Sequence, residues 1–469
     1  MRGEPQPFTD LEGAATLSKD MTATDCSDET EPLNGAKKRD SNEQDLSLAR
    51  RIAVIAVVAI LAAFEGVCMS LPGPFFPPEA KKHGLTQSQI GIVAGSLDVS
   101  CLFFSFLVGS LTTPTNTKFV SISGTLLCSA TISTFGLLNF VSGPGVYFTL
   151  CIFARALNGF GVAMTYAMFI PISLRCFPEL AGLIQGIIQT CFCTGMFSGP
   201  IIGSALVPFG GYSAPFLVAG GLEALFSCIA ILIFPPAAKS YSPTNHPNES
   251  EHYLKFFVTF STMSVVIPSL VVFLMSGFRD AAYSLHFHEA IGIDLGSMGY
   301  VFASNALAAT ITGATVGVLV NQGYGVFVLI CSQILTPVTA FVMFLPYLVP
   351  QLETKAWAVI LLVVNGISID GVINPFYLIM QNEAVRRGSG SLEQVRTFAS
   401  SSFSVVMSSG RILGSVIFGG FFNEHLGYYF TCLIYAVIAL LTLAWHVIFL
   451  ARVGLLRRAY YPTSLEITK

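Results

Sequence analysis

Twelve stretches of about 20 or more predominantly apolar residues recur between Ile52 and Ala451. Wound as helices rising 1.5 Å per residue, each is long enough to cross roughly 30 Å of hydrocarbon. The pattern predicts helices over residues 52–74, 87–111, 119–140, 145–170, 180–207, 212–235, 257–285, 297–320, 326–349, 356–381, 396–421 and 427–451. Composition agrees, because a chain of 469 residues that is 53% hydrophobic and 11% charged has too few charges to cover a soluble globule. The expected fold class is therefore an all-α membrane protein with twelve transmembrane helices, and the bilayer is its first partner.

The rest of the organisation follows from polarity. Residues 1–50 mix acidic and basic groups without an apolar core and read as a disordered cytosolic tail, neither signal peptide nor domain. Residues 51–235 form one six-helix half, 236–256 a central cytosolic loop, 257–451 a second half and 452–469 a C-terminal tail. Lys and Arg concentrate in the N-terminal tail, the even-numbered loops and the C-terminus, against Lys81, Lys82 and Lys355 on the other side, which places both termini in the cytosol. The Asn248-Glu-Ser250 sequon then lies on the unglycosylated side. A net charge of -3 gives no reason to expect nucleic acid. Ten of eleven cysteines lie in or beside apolar segments and read as packing residues.

Three stretches recur at one offset of 215: Glu65 matches Asp280, Arg155 matches Asp370, and Gly195 and Gly199 match Gly410 and Gly414. Helix 2 repeats at 208, Gly91 and Gly109 matching Gly299 and Gly317. Two six-helix halves follow, related by a pseudo-two-fold along the membrane normal with a cavity between them. Ionisable groups in hydrocarbon cost about 2.5–3.5 kcal/mol each on insertion scales, so matched ones point to a transport pathway.

Five carboxylates fall within the apolar spans, Glu65, Asp98, Glu223, Asp280 and Asp370, against Arg155, Arg279 and Arg411. The acidic surplus favours a cationic cargo. A buried carboxylate holds a proton or an ammonium but seldom both, and that competition is the basis of antiport. Each acidic group has a structural alternative: pairing with an arginine for Glu65 and Asp370, satisfying a neighbouring helix for Asp98 and Glu223. Phe64, Tyr166, Tyr300, Phe376 and Tyr377 fall near these charges and offer either cation–π faces or core packing. His286-Phe-His288-Glu289 has spacing that suits a metal, yet reads better as a helix end. No nucleotide-binding loop, nucleophile elbow or clustered metal ligands occur, so the chain is not read as an enzyme and needs no cofactor beyond a proton gradient.

Arg155-Ala-Leu-Asn158-Gly159-Phe-Gly161 in helix 4 and Gly195-Met-Phe-Ser-Gly199-Pro200 in helix 5 resemble motifs of the major facilitator superfamily, the second typical of its antiporters. Taken singly, these glycines also suit plain helix packing. The loop motif after helix 2 survives only as Gly109, Leu111 and Lys118. Glu65 followed by Pro74-Phe-Phe-Pro77, Asp280 in helix 7, and Asp370 five residues before Pro375 are similar to the vesicular amine transporter family. The Gly73-Pro-Phe-Phe-Pro77-Pro-Glu79-Ala-Lys81-Lys82 block is especially similar to its vesicular polyamine transporter branch.

That resemblance implies a monomeric proton-coupled antiporter loading an organic cation, a polyamine or related amine, into acidic vesicles. Glu65, Asp370, Asp280 and Asp98 would bind cargo or protons, with Asp280 serving the lumenal side. Arg155 would tune them, and Gly159, Gly195, Gly199, Pro200, Gly410 and Gly414 would make packing or gating contacts. Competing readings are an exporter of drugs or organic anions, using Arg155 and Arg411, and a transporter-like receptor or scaffold.

Overall fold

The computed structural model describes residues 47–111, 116–177, 181–235, 260–386 and 392–453. The expected N-terminal tail, the central loop with its sequon and most of the C-terminal tail lie outside the described residues. Twelve helices cross the bilayer by length and composition: α1 (Leu48–Lys82), α2 (Gln87–Ser105), α3 (Thr117–Phe140), α4 (Pro144–Tyr166), α5 (Gly186–Gly210), α6 (Ser213–Ile233), α7 (Thr262–Ile291), α8 (Leu295–Leu319), α9 (Phe327–Leu348), α10 (Lys355–Gln381), α11 (Ser402–Leu426) and α12 (Tyr428–Phe449). α1 begins on what is here called the Leu48 face and ends on the Gly84 face.

Prolines shape α1. The helix Leu48–Ser70 bends at Leu71 and resumes as Pro72–Lys82, which holds Pro74, Pro77 and Pro78. Each proline lacks the N–H that would bond four residues back, and Pro77 thereby frees the Gly73 carbonyl. Ser284 of α7 donates to that carbonyl at 3.0 Å, so a helix defect in one half becomes a bond to the other. Two further irregularities, inside α7 and α11, are π-helical, Arg279–Tyr283 and Leu413–Phe422, and a third such turn, Val320–Tyr324, follows α8. Wide turns of this kind concentrate at functional sites because they redirect carbonyls out of the ladder.

Packing repeats between halves. α1 lies on α5 and α6, α2 on α4, and α3 on α4 and α6; correspondingly α7 lies on α11 and α12, α8 on α10, and α9 on α10 and α12. The halves meet where α2 packs on α11 and α5 on α8.

Close backbone approaches fix the register of this repeat and correct the offset read from the sequence. A side chain on Gly195 would overlap the Ala63 carbonyl of α1, and one on Gly410 would press on the Leu270 carbonyl of α7. Gly199 and Gly414 meet Val67 and Leu274 in the same way. The glycines are thus equivalent at 215, whereas their partners, Ala63 and Leu270, stand 207 apart. Gly159 on the Leu97 carbonyl is mirrored by Gly366 on that of Asn305, again offsets of 207 and 208. Helices α1, α2 and α4 therefore repeat at 207–208 and α5 at 215, because more chain separates Gly366 from Gly410 than Gly159 from Gly195. Glu65 corresponds to Val272, and Arg155 to Leu362, not to Asp280 and Asp370. The ionisable groups are not symmetric; each belongs to one half alone.

Candidate functional site

The charged side chains form three separate groups. The first crosses between halves. Arg411 of α11 donates from Nε to Asp98 of α2 at 3.0 and 3.2 Å, and its Nη1 lies 3.1 Å from Asp280 of α7. Arg279 holds the other side of Asp280 at 3.0 Å and donates from Nη1 to Asn305 of α8 at 2.7 Å. Asn305 in turn donates to Asn365 of α10 at 3.0 Å. These polar residues sit at less than one-tenth exposure, apart from Asp280 and Arg411, which are half-buried. Each charge is met by an opposite one, the condition under which charges survive burial. α7 runs on to Ile291, so Asp280 lies well inside the span and not near its end as the predicted helix over 257–285 suggested. Arg155 faces the same region, its guanidinium 5.8 Å over the Phe135 ring.

The second group is enclosed in the N-terminal half. Glu65 of α1 and Glu223 of α6 are 1% and 0% exposed. One carboxylate oxygen of each, with the Cys128 Sγ of α3, falls within 4.8 Å of the others. Cys68 donates to Glu223 Oε2 at 3.3 Å, and Cys128 to Glu65 Oε1 at 3.8 Å. Sequence spacing showed no clustered metal ligands; folding assembles these from three helices. Arginine pairing was one expectation for Glu65, and the structure corrects it: among the described residues no guanidinium comes within ion-pair distance of Glu65, Glu223 or Asp370.

Asp370 of α10 is the third. It is partly exposed, sits against Gly313 of α8, and faces Cys193 of α5 in the other half. It is the partly exposed carboxylate of α10, within electrostatic reach of the opposite half.

Other expectations sort differently. Phe376 and Tyr377 pack on Phe403 at 5.5 and 4.9 Å, and Phe64 stacks on Phe226; Phe376 is a core residue, and Phe64 and Tyr377 are half-buried. Phe135, not among the aromatics read from the sequence, carries the cation–π contact. His286 stacks on Tyr428 at 3.6 Å with Nε2 2.7 Å from Glu353, while His288 bonds the Ile293 carbonyl, so the two rings do not converge on a metal. Gly195, Gly199, Gly410 and Gly414 clamp α5 to α1 and α11 to α7 within each half; contacts between halves fall instead where Gly299 meets Pro200 and Gly91 meets Ser415.

The sequence reading missed Gln87, whose Nε2 donates across the halves to the carbonyls of Ala281 (3.0 Å) and Gly419 (2.7 Å), in the π-helical turns of α7 and α11. Only its place at the start of an apolar run could have flagged it. Ser88 N–H to Glu424 (2.7 Å) and Gly299 N–H to Ser204 (2.9 Å) add to the same closure. The hydrogen bonds between halves named here lie at the Asp98–Arg411 level or on its Gly84 side. They join the halves around a charged layer.

Two such halves about a polar centre are the architecture of a known transporter family, and its sequence model, the Major Facilitator Superfamily, matches residues 58–392. The chain belongs to the Major Facilitator Superfamily. Among curated relatives in this superfamily, the MFS-type transporter SLC18B1 of Mus musculus is 26% identical over 384 residues, 80% of this chain and 81% of that protein. The Homo sapiens protein of the same name is 26% identical over 383 residues, with the same coverage. Solved members share the fold at low identity. A bacterial homologue of the human lysosomal transporter Spinster, inward-facing and occupied, has a TM-score of 0.69 at 13% identity, covering 88% of this chain and 99% of its own. The nucleoside transporter NupG gives 0.63 at 13%, covering 86% and 99%. The protein is a multi-pass membrane transporter and not an enzyme.

Proposed function

We propose that this chain is a proton-coupled antiporter that loads an organic cation, a polyamine or related amine, into acidic vesicles. The observation that carries the reading is Asp370, a partly exposed carboxylate within the membrane span, near α5 of the other half, with no guanidinium within ion-pair reach among the described residues. A carboxylate so placed gains by taking an ammonium or a proton, and the two exclude each other. Asp98 and Asp280 are by contrast engaged by Arg411 and Arg279. They hold the halves together and do not compete for cargo. Glu65 supplies a second acidic site, and Arg155 sets the field around the charged layer.

Alternating access comes from the two halves rocking about this centre, with the Gly84-side bonds breaking as the other face closes. Both termini lie in the cytosol, the chain works as a monomer, and the proton gradient is its energy source. The polyamine assignment rests on the similarity of the Gly73–Lys82 block to the vesicular polyamine transporter branch. The test is uptake of labelled spermidine by proteoliposomes under an imposed pH gradient. Uptake that spermidine blocks and carboxylates do not supports the reading, and gradient-independent or carboxylate-sensitive uptake refutes it.

A further inference from the structure

Glu223 is enclosed in the N-terminal half at 0% exposure, and its surroundings point to a role of its own. Its carboxylate meets that of Glu65 at the contact of α6 with α1, both side chains at 1% exposure or less. Glu65 Oε2 and Glu223 Oε1 are buried without a hydrogen-bond partner. Within electrostatic reach of the pair stand the thiols Cys68 on α1, Cys128 on α3 and Cys101 on α2, with Tyr166 on α4, while Arg155 on α4 reaches Cys68. The guanidinium of Arg155 is turned to Phe135 and does not pair with either carboxylate. Two charged carboxylates this close in a dry interior repel each other, and neither has a countercharge in contact. A single proton between them removes one charge and gives the other a donor.

We infer that Glu65 and Glu223 form a proton-holding carboxyl pair inside the N-terminal half, distinct from the cargo carboxylate Asp370. An amine cargo cannot enter a site whose carboxylates are at 1% exposure or less, whereas a proton needs only a momentary chain of donors, which the Cys68 and Cys128 thiols begin. A transition metal would meet chemically suitable ligands here too, but it needs both carboxylates and at least one thiol deprotonated together and a route wide enough for the ion. This inference rests on the antiport reading above and assigns its proton site.

The test uses the full-length protein in liposomes. Infrared spectroscopy at neutral pH should show a protonated-carboxyl band in the wild type and in Asp370→Asn that is lost in the Glu65→Gln/Glu223→Gln double variant. That readout is independent of cargo, so it stands even if the amine assignment fails. Glu223→Gln alone should lose pH-gradient-driven accumulation, with Glu223→Asp restoring part of it. An identical carboxyl spectrum in wild type and double variant, wild-type accumulation by Glu223→Gln, or a stoichiometric metal ion lost on mutating the pair would each overturn the assignment.

Discussion

Arg411 and Asp98 lie 3.0 Å apart on opposite halves of the molecule, and the same guanidinium reaches Asp280 at 3.1 Å. One arginine therefore neutralises a carboxylate from each half. Arg411→Ala would leave both acids buried without that partner, a loss of the kind that costs about 3–5 kcal/mol. Thermal unfolding in detergent should show a strong destabilisation, milder in Arg411→Lys. An unchanged melting temperature would mean that water or Arg279 suffices.

Gln87 joins the π-helical turns of α7 and α11 across the interface. Replacing it with leucine removes two hydrogen bonds worth about 0.5–1.5 kcal/mol each, enough to shift a two-state equilibrium by roughly 5–150-fold. Spin labels at His83 and Glu289 should report a larger population open at the Gly84 face. Unaltered distance distributions would remove Gln87 from the gate.

Glu65→Gln and Asp370→Asn should each abolish proton-driven amine uptake while leaving expression and bilayer insertion intact. The amide keeps the shape but neither ionises nor binds an ammonium as strongly. Wild-type uptake in both variants would discard these residues as the coupling groups.

Gly414 sits where any side chain would overlap the Leu274 carbonyl. Gly414→Val forces α11 away from α7 and should cost about 1–3 kcal/mol, seen as reduced folded yield. Gly186→Ala has nothing within 4 Å of its added carbon and should stay within about 0.5 kcal/mol of the parent.

Asp294 caps α8 by accepting from the Ser297 N–H at 3.1 Å, and the Ser297 side chain first, with the backbone N–H groups of this turn, holds its carboxyl below the usual range. With the folded value depressed, the stabilisation is present above the unfolded value near 3.9 and disappears as pH falls through the folded one. Asp294→Ala should cost about 0.5–2 kcal/mol at neutral pH and progressively less in strong acid. A cost that does not change with pH would assign the effect to packing.

Much of the architecture was legible because lipid imposes a simple code. Apolar runs of sufficient length must become helices, since only these satisfy their own backbone in hydrocarbon. The helix 5 and helix 11 glycines were also readable, because close backbone contact leaves room for nothing larger. Pairing of charges was not. Glu65 and Asp280 matched at 215 in the sequence, yet the glycine contacts put Glu65 opposite Val272 and give the repeat two offsets.

The sequence by itself determined that the chain crosses the bilayer twelve times, folds as two related halves and carries more acid than base within the membrane. Local hydrophobicity and residue size decide those properties. Tertiary structure decided which acids are neutralised and which are not: Arg411 meets Asp98 and Asp280, whereas Glu65 lies beside Glu223 and Asp370 has no guanidinium within ion-pair reach among the described residues. A charge in a low dielectric is governed by whatever side chain lies within a few ångströms, and those neighbours come from helices far apart in the chain.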